Sequence, residues 1–191
     1  EQSLPNLCAD RLEYILHGSY EEGLLSSVDI AHIIANLSYN EQEQCWQFAS
    51  PGAALMVGTS SLYLNEYIFA APYDALLYRW MTEALKRAIS INELTLHDIH
   101  WGIDQEIWQR LQQSNDPLIH DLVNKMRHHF NAYTLTTRED CSYFVQPKFR
   151  GVDPIIKTAY ATQRLTELLP TYKSAFETTR NRLAQGWAIA Y

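Results

Sequence analysis

Cysteine is scarce in this chain. Cys8, Cys45 and Cys141 are its three, far apart in 191 residues. An odd number with no CxxC pair supports neither a disulfide framework nor a zinc knuckle, and points to a reducing cytoplasm as the compartment. Long apolar runs are also missing; none approaches the ~20 residues of a membrane span. The first residues, Glu1-Gln2-Ser3-Leu4-Pro5, carry no basic start and no apolar stretch of a secretory signal. They also lack an initiator Met, which fits a trimmed or partial chain. Positive charge is the minority sign, with 15 Lys and Arg against 22 Asp and Glu and a net charge of −7. That balance argues against general nucleic-acid binding. No glycine-rich phosphate loop and no nucleophile elbow occurs, so P-loop and α/β-hydrolase chemistry are set aside. No Gly/Ser linker, repeat or low-complexity tract divides the chain, so 1–191 reads as one region.

What is present is ordinary globular composition. The apolar fraction is 47% and the charged fraction 19%, enough for a real core. Helical spacing predicts elements over Leu7–His17, Asp29–Leu37 and Ala53–Phe69. A further helix starts at Pro72, with Leu77, Met81, Ala84, Leu85 and Ala88 as its buried stripe. Asp104 is expected to cap a helix carrying Ile107, Trp108 and Leu111. Asp116-Pro117 is a clear start signal for a helix with Leu118, Leu122, Met126 and Phe130 at every fourth position. The last helix is predicted from Pro170 to a stop at Gly186. Gln44–Phe48 is a candidate strand, and Tyr133–Thr137 with Ser142–Gln146 a candidate hairpin. The fold class is therefore all-α with a minor β-hairpin. Residues 132–191 form a candidate sub-region of hairpin plus C-terminal helix.

The opening helix concentrates chemistry. Asp10, Tyr14 and His17 fall at i, i+4 and i+7 and share a face, while Leu12, Ile15 and Leu16 point to a core. A carboxylate, a phenol and an imidazole on one face suit a metal or phosphate site; on spacing alone, a solvated helix face is the favoured reading. Elsewhere, Lys148, Arg150 and Lys157 group around Gly151 and Pro154. Cations of this kind recognise phosphate or nucleotide, Arg as a fork and Lys as a point charge; an internal ion pair with Asp153 is the competing reading. His97, His100 and Asp104 have ligand-like spacing, but Gly102 interrupts them. His120-Asp121 reads as solvated, and His128-His129 as a response to a helix C-terminus.

The string Ala9-Asp10-Arg11-Leu12-Glu13-Tyr14 resembles the Ala-Asp-Arg-(Leu/Ile)-Asp-Tyr segment of HD-domain phosphohydrolases, in particular the deoxynucleotide triphosphohydrolase branch. Leu94 through Trp108 and Lys148 through Pro154 are similar to later segments of that family. The resemblance implies an HD-type helical bundle and makes Asp10 the last of four ligands to a divalent metal. The other three, a His and then a His-Asp doublet, would lie upstream in a missing N-terminal half, which becomes this chain's implied partner. His97-Asp98 and His120-Asp121 follow Asp10 and would serve only in a permuted fold. The resemblance also implies that Tyr14 bonds a phosphate oxygen and that Arg11 neutralises developing charge, unless Arg11 pairs with Glu13 or Glu21. Where the family continues Tyr-x-x-Arg-Asp, this chain has His17 and Gly18. The permanent charge and the sugar contact are both lost, so deoxynucleotide specificity is not implied.

The expected function is thus the C-terminal portion of a metal-dependent phosphohydrolase for a nucleotide or other phosphorylated substrate, inactive alone. The alternative is a non-catalytic helical scaffold or interaction module with a degenerate site. Without preceding helices, Leu12, Ile15 and Leu16 are expected to form an exposed apolar patch that favours homo-oligomers or aggregation.

Overall fold

The computed structural model describes residues 2–191 and is mainly helical, with two small sheets. In chain order the elements are α1 (Ala9–Glu21), α2 (Ser27–Ala35), β1 (Leu37–Asn40), β2 (Cys45–Phe48) and α3 (Pro51–Tyr63), which runs into a π-helical turn, Leu64–Phe69. Then come α4 (Pro72–Ser90), α5 (Leu96–Trp101), α6 (Asp104–Gln113), α7 (Pro117–His128), β3 (Thr134–Leu135) and β4 (Tyr143–Val145). The chain closes with β5 (Ile155–Lys157), β6 (Thr162–Arg164), α8 (Leu165–Leu168), α9 (Pro170–Gln185) and β7 (Trp187–Ala190). Among the described residues no helix is long and apolar enough to cross a membrane.

The chain divides into two compact units, where composition suggested one region. The first joins the chain up to Ala71 with Gln146–Gly186; the second joins Pro72–Val145 with Trp187–Tyr191. The 132–191 sub-region is therefore split. Helix α9, with β5 and β6, belongs to the first unit, and β3, β4 and β7 belong to the second. Gly186, in left-handed backbone with φ 76°, ends α9 and lets the chain leave it.

In the first unit the apolar side of α1 packs on α3. Leu12, Ile15 and Leu16 are buried in a core with Ile33, Phe48, Ala54, Val57 and Ile156. The expected exposed patch is absent, because this chain's own residues cover that side of α1. Small residues at Ala53, Ala54 and Gly58 let other elements approach α3 closely. A Cβ on Gly58 would sit 2.8 Å from the Tyr172 ring. A four-stranded sheet in the order β1-β2-β5-β6 flanks the core, with β2 and β5 parallel and the other pairs antiparallel. Strands β1, β5 and β6 were not expected from the sequence.

In the second unit α4 packs on α7 and α6. The buried positions of α4 are Leu76, Trp80, Ala84 and Ala88. They repeat every four residues and put the large Trp80 ring inside, so Leu77, Met81 and Leu85 sit at the margin of the stripe. Helix α7 likewise buries Ile119, Leu122, Val123 and Met126, leaving Leu118 and Phe130 exposed. The predicted hairpin does not form: β3 and β4 each pair with β7 and not with each other. Trp187 and Ile189 on β7 alternate inward, and that apolar pair makes β7 the central strand.

Helix starts follow local chemistry. Ser26 with Asp29, and Thr95 with Asp98, form reciprocal capping boxes. Asp104 lies inside α6 and is not its cap; Ile103 holds that position without a side-chain bond. Asp116 caps α7 through the amides of Leu118 and Ile119 at 3.1 and 3.2 Å. Its other oxygen accepts from Arg87 Nε and Nη2 at 3.0 and 2.7 Å.

Three predictions test this architecture. Gly58→Ala should lower stability by about 1–3 kcal/mol through overpacking, and Tyr172→Phe by about 1–2 kcal/mol through loss of a buried hydroxyl bond; chemical denaturation reads both, and wild-type midpoints would contradict the packing described. The Arg87 hydrogen bond, chiefly, holds the Asp116 carboxyl below its usual range. Its stabilising contribution is complete above the unfolded value of about 3.9 and is lost as pH falls through the lower folded value. Thermal midpoints taken between pH 5 and 2 should therefore drop less steeply in Arg87→Ala than in wild type; equal slopes would show that the pair is not responsible.

Candidate functional site

Polar residues of α1 face outward because its apolar ones are committed to the core. Asp10 occupies the first turn, where the helix N-terminus favours a carboxylate. It is exposed and makes no hydrogen bond or ion pair with the described residues. Arg11 is spent locally: its Nη1 donates to the carbonyls of Gln2 at 2.6 Å and Asn6 at 2.8 Å. That fastens the segment before α1 and removes Arg11 from the pairing with Glu13 or Glu21 weighed from the sequence. Tyr14, one turn after Asp10, is half-buried with its ring edge-on to Phe69, centroids 5.7 Å apart. Its hydroxyl has no hydrogen-bond partner among the described residues. Burial pushes the phenol above its ordinary value; Arg11 and Arg150 pull it back, and Asp10 adds to the rise. His17 is exposed and lies apart from this cluster, in an open groove of about 470 Å³ with Glu13, Leu16, Tyr20 and Ile30.

Arg150 reaches this neighbourhood because its backbone is clamped. The Arg150 amide donates to Asn65 Oδ1 at 2.7 Å, and the Val152 amide to Ser61 Oγ at 3.0 Å. Tyr172 Oη donates to the Val152 carbonyl at 2.5 Å. Gly151 is required by close approach: a Cβ there would fall 2.3 Å from Phe149 Cζ and 2.8 Å from Leu62 Cδ2. Asp153 is buried, and its carboxylate accepts from the Thr166 amide at 3.0 Å and Thr166 Oγ1 at 2.7 Å. Its own amide donates to the Pro5 carbonyl at 2.9 Å. The ion pair considered between Asp153 and the neighbouring cations is therefore not formed; hydroxyl and amide donors satisfy the carboxylate instead.

With Asp153 occupied elsewhere, the side chains of Lys148, Arg150 and Lys157 are exposed and carry no hydrogen bond or ion pair with the described residues. They do not make one cluster. Arg150 acts on Tyr14, whereas Lys157, at the end of β5, acts on Cys45. Asp10, Arg11, Tyr14 and Arg150 thus share one electrostatic neighbourhood, and His17 and Lys157 stand outside it.

The π-helical turn does the joining. In a π-turn successive residues advance by a smaller angle than in an α-helix, which redirects those that follow. Leu64 lies where a Cβ on Gly18 would be 3.3 Å away. Asn65 holds Arg150, Glu66 bonds Thr179 and pairs with Arg182, and Phe69 meets Tyr14. The expected unbroken helix over Ala53–Phe69 hid these roles. A readable signal existed: Ser61, Asn65 and Glu66 interrupt an otherwise apolar stretch, and buried polar side chains require partners.

The metal implied by the resemblance does not fit the described residues alone. No group of three or more His, Cys, Asp or Glu side chains among them could hold an ion, and Asp10 supplies a single carboxylate. The other candidate sets are used structurally. Asp98 caps α5 and pairs with Arg110 at 3.1 Å, and Asp121 pairs with Lys125 at 2.8 Å. His100 stacks edge-on with Trp101, and Asp104 begins a different helix. No protein-family model matches the chain, and no curated protein matches it.

A paired substitution separates the two halves of this arrangement. Tyr14→Phe should change stability by less than about 0.5 kcal/mol, since its hydroxyl has no partner to lose. Asn65→Ala should cost about 1–3 kcal/mol by stranding the Arg150 amide. Equal costs for the two variants in a denaturant series would refute the assigned bonding.

Proposed function

We propose that this chain is the C-terminal portion of an HD-family, metal-dependent phosphohydrolase with an HD-like helical bundle, acting in the cytoplasm on a nucleotide or another phosphorylated substrate. The observation that carries the reading is the approach of Arg150 to Tyr14 on the face of α1 that also bears Asp10. These residues come from two of the three stretches of sequence that resemble the family, and they supply complementary chemistry. Arg150 offers an uncommitted guanidinium to phosphate oxygens. The phenol of Tyr14, whose hydroxyl has no hydrogen-bond partner among the described residues, offers a hydrogen-bond donor. Asp10 offers one hard anionic ligand. Arg11 acts as a positioning residue by fastening the start of α1, and contributes charge from there.

The described residues contain only one of the four metal ligands that the family uses, Asp10. The remaining three are assigned to residues outside this chain. His17 and Gly18, which replace an Arg and an Asp of the family pattern, leave the sugar without its usual contact, so the substrate class is kept at a phosphorylated molecule. The scaffold reading has one observation in its favour: the apolar side of α1 is already covered by this chain's own residues.

The test uses phosphate or triphosphate release with Mn²⁺ and a panel of nucleotides. The chain alone should be inactive. A protein that joins it to an upstream segment bearing the His and His-Asp ligands should be active, and Asp10→Ala should abolish that activity. Release that survives Asp10→Ala, or a joined protein that binds no metal, would contradict the proposal and favour the scaffold.

A further inference from the structure

The second unit contains a cavity that no part of the phosphohydrolase reading uses. It lies where α4, α6 and α7 meet, has a volume of about 430 Å³, and is lined by Asp74, Leu77, Tyr78, Met81, Trp108 and Met126. That volume falls within the range of small-molecule sites. Its walls are a thioether pair, a Leu and two aromatic rings, surfaces that adapt to an apolar ligand. The single ionisable group among them is Asp74.

Asp74 is placed unusually for an ordinary first-turn acid. Carboxylates there are usually solvated and gain from the helix N-terminus. This one is half-buried, has no hydrogen bond or ion pair with the described residues, and is pushed above its ordinary value by burial, with no basic group offsetting that. Four of the cations on the same helices are committed elsewhere, and Lys86 and Arg127, both exposed, form no ion pair with Asp74. Arg79 pairs with Glu83, Arg87 with Asp116, Arg110 with Asp98 and Lys125 with Asp121. A partly desolvated carboxylate without a partner is a standing cost, and a ligand that brings a positive charge removes it. Trp108 and Tyr78 add ring faces, which attract ammonium groups. An anionic ligand would be repelled, and a neutral one would bury the carboxylate further without compensation.

We propose that this cavity is a binding site for a small organic amine, with the ammonium group at Asp74 beside the rings of Trp108 and Tyr78 and the apolar body against Leu77, Met81 and Met126. The proposal does not depend on the phosphohydrolase reading, since every lining residue belongs to the second unit.

The chain has three methionines, Met56, Met81 and Met126, so methyl resonances report the site with an internal control. Phenethylamine, phenethyl alcohol and phenylacetate would each be titrated into the full chain. Saturable shifts of the Met81 and Met126 methyls, with Met56 unmoved, are expected for the amine. The amine should bind about tenfold tighter than the alcohol, the scale of one partly desolvated ionic contact aided by a ring. Phenylacetate should bind more weakly than either. Asp74→Asn should bring the amine down to the level of the alcohol. Equal affinity of amine and alcohol in the wild-type chain, tighter binding of phenylacetate, no saturation with the amine, or an unchanged preference in Asp74→Asn would each overturn the proposal. The wild-type comparison of the three probes decides the matter even if the variant fails to fold.

Discussion

The amide of Arg150 donates to the side chain of Asn65 across 85 residues of sequence, and much of the first unit is arranged around that contact. A backbone donor partly buried beside a helix needs an acceptor, since leaving it unmet costs about 1–3 kcal/mol. An α-helix spends its own carbonyls internally, so the acceptor has to be a side chain. Ser61 and Asn65 supply two on successive turns. Val152 is held from the other side by Tyr172, whose phenol burial pushes well above its ordinary value, with Asp153 adding to the rise. The stretch from Arg150 to Asp153 is consequently fixed at five backbone points, the Asp153 carbonyl accepting from Arg164 among them, and its one long, free side chain is the guanidinium.

Fixing the backbone while freeing the head group is how a protein prepares a charge for a ligand. The ordering cost of the main chain is met during folding, and only the side chain remains to be ordered on binding. The same economy is visible at α1. Its apolar side is locked in the core, Arg11 fastens its beginning, and the Asp10 carboxylate and Tyr14 hydroxyl have no hydrogen-bond partner among the described residues. The π-helical turn couples the two. A regular helix in its place would not direct Asn65, Glu66 and Phe69 to three different neighbours.

Legibility of this architecture in the sequence follows the range of the forces involved. Caps and breakers act within four residues, so Asp116-Pro117, Pro170 and Gly186 were readable, although Asp104 lies one position inside its helix instead of capping it. Helical period grouped Asp10, Tyr14 and His17, but His17 faces a separate groove with Glu13 and Ile30. Strand pairing acts at long range. Nothing local in Tyr133–Val145 indicates that β7, some 50 residues on, supplies the partner for both β3 and β4, and the hairpin expectation failed for that reason. The parallel pairing of β2 with β5 was hidden in the same way. Within α4 and α7, regular spacing gave the right helices but the buried stripe was displaced, because the large Trp80 ring takes the interior position. At the site, nearness in sequence grouped Lys148, Arg150 and Lys157, yet the start of β5 carries Lys157 off toward Cys45. The π-turn escaped notice because six residues are too few for their period to differ visibly from that of an α-helix.

The central claim is that Arg150, held by Asn65, and Tyr14 together present one phosphate-binding edge. Titration of inorganic triphosphate into the full chain, followed through the Arg150 side-chain N–H and the Tyr14 ring resonances, tests it most directly. The account predicts saturable shifts at both residues that disappear in Arg150→Ala and persist in Lys157→Ala. Weak shifts spread evenly over the exposed lysines and arginines, with Tyr14 unmoved, would contradict it.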